Sequence, residues 1–98
     1  MKLRELIPML DFDYKVVMDE LPDMYTLLSK LGSKLPHNYS LDIAKKEADK
    51  YPELLYIMGG RLYIRNNLDF NLISELKVLK IIDDGIHFVL VGYEKYHN

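Results

Sequence analysis

Of the side chains able to act on a substrate or hold a metal, three histidines come first: His37, His87 and His97. They lie far apart in the chain, and none has a partner at metal-ligand spacing. His87 falls within an apolar run and reads as a sheet-face residue, and His97 falls in a tail expected to fray. Ser29, Ser33, Ser40 and Ser74 lack the strand–turn–helix context of a nucleophile elbow. Asp11-x-Asp13 has the opening of a calcium loop. However, Val16 stands where such a loop needs glycine, and no glutamate occupies its twelfth position. Gly59-Gly60 joins two strands instead of opening a helix, so it is not a phosphate cradle. Carboxylates such as Asp13 and Asp19 would support acid–base chemistry only if the fold made them converge. These residues describe a chain that is not an enzyme, with no metal site and no cofactor.

What remains is binding chemistry, and two sets of residues carry it. Tyr56 and Tyr63 fall opposite one another in a β-hairpin, with Arg61 and Arg65 alongside. Tyrosine and arginine dominate interface hot spots, and a hairpin would hold them preorganised. Such a face could also stack bases. The plainer reading is an ordinary cross-strand tyrosine pair packed beneath a helix. The second set is acidic: Asp11, Asp13, Asp19, Glu20 and Asp23, opposed only by Lys15 and expected at the two ends of a strand. Such charge can steer the protein toward a basic cleft, including one that normally holds nucleic acid. Its plainer reading is a solvated strand end that keeps the protein soluble.

Composition bounds these options. The chain has 98 residues, enough for one domain spanning 1–98, and its 49% hydrophobic and 29% charged content is that of a folded protein. Cysteine is absent, which excludes disulfides, zinc–thiolate sites and thiol catalysis and fits a reducing compartment. A net charge of -2 supplies no global attraction to phosphate. Met1-Lys2-Leu3-Arg4-Glu5 lacks the apolar run of a secretory signal, and Ile86 to Tyr93 is too short to span a membrane. A cytoplasmic location follows as an expectation.

The elements that must position these residues are legible from periodicity. Leu3, Leu6, Ile7 and Leu10 form one stripe of a short helix that Pro8 ends or kinks. Tyr14 to Met18 is a β-branched run and reads as a strand. Asp23 is expected to cap a helix from Met24 to Leu31, with Gly32 just past its end. Ser40 is expected to cap another, running to about Tyr51 with Leu41, Ala44, Ala48 and Tyr51 on its buried face. Leu54 to Arg65 forms a hairpin about Gly59-Gly60, pairing Tyr56 with Tyr63 and placing Leu55, Ile57, Leu62 and Ile64 on one apolar face. Asn66 to Ser74 is irregular or a short helical turn. Glu75 to Ile82 and Ile86 to Tyr93 form a second hairpin, apolar on both faces and so expected near the middle of the sheet. The fold class is α+β: a small, mostly antiparallel sheet of about five strands and two hairpins, packed with two to three short helices.

The opening, Lys2-Leu3-Arg4-Glu5-Leu6-Ile7 through Asp11-Phe12-Asp13 to Val17, resembles small proteins of phages and prophages of low-GC Gram-positive bacteria. The closing segment, Leu76-Lys77-Val78 to Asp84-Gly85-Ile86, is similar to theirs as well. Pro8 and the section from Met24 to Asn66 depart from that pattern. The resemblance implies a mobile-element origin and a protein that binds and blocks a host protein, as an anti-CRISPR inhibitor does. A competing reading comes from element order. Helix, strand, two helices and a two-stranded wing is the order of a winged-helix DNA-binding regulator, with Ser40 to Tyr51 as recognition helix and Arg61 and Arg65 near phosphates. Asp42, Glu47 and Asp49 on that helix would oppose phosphate, so direct nucleic-acid binding ranks below a protein partner.

Overall fold

Pro8 sets the geometry of the first element. In the computed structural model, which describes residues 1–98 with the side chain of Asp84 excepted, α1 spans Leu3–Leu6. It then tightens into a 3-10 turn at Ile7–Met9 around the proline, which has no N–H donor to continue the α ladder. Glu5 Oε1 accepts the Lys2 backbone N–H at 3.0 Å, satisfying one free donor at the helix start. The strand β1 runs Tyr14–Met18 as its β-branched centre predicts.

The helix α2 covers Leu21–Lys30, and α3 covers Leu41–Ala48. The start of α2 lies earlier than the sequence reading placed it. Glu20 is its N-cap, Pro22 occupies the first turn, where its missing N–H costs nothing, and Asp23 is already inside the helix. Gly32 follows with φ +112°, and the Ser33 N–H reaches back to the Leu28 carbonyl at 3.0 Å. Ser40 Oγ caps α3 by accepting the Ile43 N–H at 3.5 Å. That helix stops at Ala48 and leaves Leu41 37% exposed, so its buried stripe is Ala44 and Ala48.

The first hairpin pairs as its sequence dictates. β2 is Leu55–Met58 and β3 is Arg61–Ile64, in the register Leu55↔Ile64, Tyr56↔Tyr63, Ile57↔Leu62, Met58↔Arg61. Gly59 and Gly60 hold φ of 60° and 77°, the left-handed pair of a type I′ turn. A second 3-10 turn covers Phe70–Leu72. β4, Lys77–Asp84, and β5, Ile86–Gly92, then pair antiparallel, with a bulge between Val78 and Lys80.

The five strands form one sheet in the order β2-β3-β1-β5-β4. Neighbours are antiparallel except β1 and β5, which run parallel with Val16 beside Val89 and Val17 beside Leu90. The expectation that both strands of the second hairpin lie mid-sheet is corrected here. β5 is internal, but β4 is an edge, and its Lys80, Ile81 and Asp83 are exposed. An edge strand lined with charge resists pairing with another chain.

All three helices pack on one side of the sheet. Val16, Met18, Leu55, Leu62, Ile64, Val89 and Val91 form the sheet half of a single core. Leu3 and Leu6 of α1, Met24, Leu27 and Leu28 of α2, and Ala44 and Ala48 of α3 complete it. Alternation sends the intervening residues, Lys15, Val17, Tyr56, Arg61, Tyr63, Phe88 and Leu90, to the opposite side, and none of them belongs to that core.

Candidate binding surface

The face without helices is where the predicted tyrosines and arginines lie. Cross-strand register lines up Tyr56, Tyr63, Val17, Leu90 and Lys80 in one row across the whole sheet. The helix expected above the tyrosines is therefore absent from that side. They are a cross-strand pair, but an uncovered one.

Their rings are nearly parallel, with centroids 4.9 Å apart and an interplanar angle of 5°. The Arg65 guanidinium lies 4.5 Å from the Tyr56 centroid, and Lys15 Nζ lies 5.9 Å from that of Tyr63. Phe88, delivered by β5, meets Tyr63 edge-on at 6.0 Å and carries the Arg61 guanidinium at 5.7 Å. Cations over ring faces gain from the aromatic quadrupole, and each such contact restrains a long side chain before any partner arrives. The result is a stack of aromatic and cationic side chains fixed on a rigid sheet. Beside it lies a cleft of about 240 Å³ lined by Tyr14, Lys15, Tyr56, Tyr63, Arg65 and Asn66.

The acidic set does not form one surface. Asp11 and Asp13 are exposed before β1, and Asp19 and Glu20 follow it. At ~3.3 Å per residue the strand separates the two pairs by roughly 20 Å. Asp19 faces the same side as the tyrosines, and its Oδ1 lies 2.9 Å from Arg61 Nε. That contact is an ion pair without hydrogen-bond alignment, and it leaves this buried oxygen with no hydrogen-bonded partner among the described residues.

Asp23 is corrected outright as a partner-facing residue, because it is fully buried. Its carboxylate accepts the Tyr93 backbone N–H at 2.7 Å and lies 2.6 Å from His97 Nε2. His97, expected in a frayed tail, is instead clamped. Its carbonyl accepts Lys77 Nζ at 2.6 Å, and its ring and Asp23 crowd Gly92 so closely that a Cβ there would sit 2.5 Å from the imidazole. A buried carboxylate needs partners, and the C-terminal segment supplies them.

Sequence reasoning missed Lys15 and Phe88 as members of the aromatic face. The alternation of each strand was readable, but the order that puts β1 and β5 beside the hairpin was not. Comparison with protein-family models, with curated proteins and with solved structures returns no match.

No group of three or more His, Asp or Glu side chains able to hold a metal ion occurs among the described residues. Within the same limit, no helix is long and apolar enough to cross a membrane. His87 lies 3.9 Å, ring to ring, from Phe12 and 3.3 Å from Asp83 Oδ1, a local packing arrangement at the end of the second hairpin.

Proposed function

We propose that this chain is a non-enzymatic protein-binding module that engages its partner through the uncovered sheet face, and that it binds and blocks a host protein. The observation that carries the reading is the state of the aromatic rings. A base-stacking platform needs free ring faces. Here the faces of Tyr56 and Tyr63 are engaged by one another and by Arg65 and Lys15. What points outward is the polar and apolar mixture of a protein hot spot, with its ordering cost met before binding. The resemblance of residues 2–17 and 76–86 to phage proteins supports the mobile-element origin and the blocking role.

One observation favours the winged-helix reading. The antiparallel order β2-β3-β1, following α1, β1, α2 and α3, is the pairing a winged helix requires. Two others weigh against it. The connection from Leu31 to Ser40 greatly exceeds the ~3–4 residues that join the helices of a helix-turn-helix. Arg61, next to the Gly59-Gly60 tip of the wing, is already paired with Asp19.

Affinity capture from a bacterial lysate with three forms of the protein separates the readings. Wild type should retain one stoichiometric protein. The Tyr63→Ala, Phe88→Ala variant should lose it while keeping its circular dichroism, and Lys45→Glu, Lys46→Glu on α3 should keep it. Retention by the aromatic variant would sink the proposal. So would duplex DNA binding with a steep salt dependence that the α3 variant abolishes.

A further inference from the structure

We infer that the cleft beside the first hairpin seats a carboxylate side chain of the partner, so that the partner presents an acidic segment to the uncovered face. This inference rests on the protein-binding reading above and gives it a chemistry. The cleft, at about 240 Å³, falls below the ~300–1,000 Å³ of a small-molecule or cofactor site and suits one inserted side chain.

Its walls are cationic. Lys2, Arg4, Lys50 and Arg61 each have a carboxylate within ion-pair distance, whereas Lys15 and Arg65 have none among the described residues. Arg65 is nonetheless held in place. Its backbone N–H bonds the Leu54 carbonyl at 2.8 Å, and its guanidinium lies against Tyr56. A guanidinium offers a planar pair of N–H donors, the geometry that matches the two oxygens of a carboxylate. Lys15, restrained near Tyr63, adds a second positive charge to the same cleft.

Charge complementarity picks the occupant. Among the described side chains, the strands and the residues flanking them contribute Lys15, Arg61, Arg65 and Lys80 to this face against Asp19 and, at its edge, Asp13, on a chain whose net charge is -2. Positive charge is thus gathered on the one side that lacks helices. Asp13 lines the adjoining cleft with Phe12, Tyr14 and Asn66, which places the anion seat on the Arg65 side of Tyr14. A nucleic-acid phosphate would satisfy the same cations, but its bases would find the tyrosine rings already engaged.

The test is an amide-resolved NMR titration of the full chain at low salt with three probes. These are a capped oligo-glutamate peptide, its oligo-glutamine counterpart, and an oligo-thymidine strand of equal length. Oligo-glutamate should shift Lys15, Tyr63, Arg65 and Asn66, and oligo-glutamine should not. Arg65→Ala should weaken the binding about tenfold or more, as expected for a lost charge-assisted pair. Arg65→Lys should recover only part of it. Asp13→Asn should tighten it. The inference is overturned if oligo-glutamate shifts nothing, if it shifts Lys45 and Lys46 of α3 equally, or if oligo-thymidine binds these residues more tightly. Partner capture run in parallel tells two failures apart. Capture surviving Arg65→Ala but lost with Tyr63→Ala, Phe88→Ala overturns the carboxylate seat alone. Capture surviving both overturns the protein-binding reading as well.

Discussion

Asp23 and His97 lie 74 positions apart, and no local spacing announces their contact. Asp23 looked like a helix cap and an exposed acid because aspartate favours both roles. What buries it is the return of the C-terminal segment across α2, which Thr26 also helps hold through a 3.0 Å contact between its Oγ1 and the Tyr96 hydroxyl. Removing one partner of a buried, hydrogen-bonded pair is costly. Asp23→Ala should therefore lower the unfolding free energy by about 3 kcal/mol. In a double-mutant cycle with His97→Ala, the coupling should exceed ~1 kcal/mol, well outside the ~0.3–0.5 kcal/mol of independent sites. Additive losses would mean that the tail merely rests on α2. Tyr93 gives a second reading of the same corner. Its phenol is held protonated well above the usual tyrosine range, by burial first and by the Asp23 charge second. Between the ordinary tyrosine value, ~10, and its native value, the unfolded chain gives up a proton that the native chain keeps. Stability fully present below that range is therefore lost as pH rises through it. Tyr93→Phe should flatten this alkaline decline in denaturant titrations. It should change neutral-pH stability by no more than ~1 kcal/mol, because the hydroxyl it removes is buried without a hydrogen-bond partner among the described residues. An unchanged alkaline slope would contradict it.

Local elements were the most legible part of the molecule. β1, the first hairpin with its register, the Ser40 cap and the Gly32 stop all follow from side-chain type and short-range spacing. The errors also have local causes. A cap at Asp23 starts α2 too late, because proline is at home in a helix's first turn and Pro22 stands there. The second hairpin was placed mid-sheet on its apolar content, which alone does not distinguish an internal strand from an edge. The Gly59-Gly60 turn offers a clean test of the hairpin, because a Cβ at either glycine would meet nothing within 4 Å. Any effect of substitution there is backbone conformation alone. Gly59→Val should cost about 1–2 kcal/mol for forcing an L residue to positive φ. Gly59→Asn should be near neutral, since asparagine-glycine is a preferred type I′ pair. Equal losses from both would show that the turn is not the left-handed type assigned. The turn also sets Tyr56 opposite Tyr63, so the Val variant should weaken partner binding along with stability.

At the scale of the whole molecule, the proposed binding role rests on an asymmetry that no single segment encodes. Three helices on one side leave five strands with an uncovered face, and the sidedness of that packing is a property of tertiary assembly. For this reason the tyrosines were foreseen while their surroundings were not. Lys15 and Phe88 reach the site only because β1 pairs with β3 on one side and with β5 on the other. The same topology makes β1 the keystone of the sheet. It is central, Val17 and Met18 are fully buried, and the strands beside it come from distant parts of the chain. Opening β1 must therefore disrupt both hairpins' attachments at once. Releasing β4, an edge strand whose Ile81 is 44% exposed, breaks one ladder only. Native-state hydrogen exchange should reflect this hierarchy. The paired amides of Val16, Val17 and Met18 should exchange near the global unfolding free energy, and those of β4 through lower-energy openings. Partner binding to the uncovered face should slow exchange in β3 and β1 more than in α2 or α3, because the ligand stabilises what it touches. Protection in β4 equal to that in β1 would mean that the sheet opens as one unit. Protection appearing on α3 instead would move the interface to the helical side.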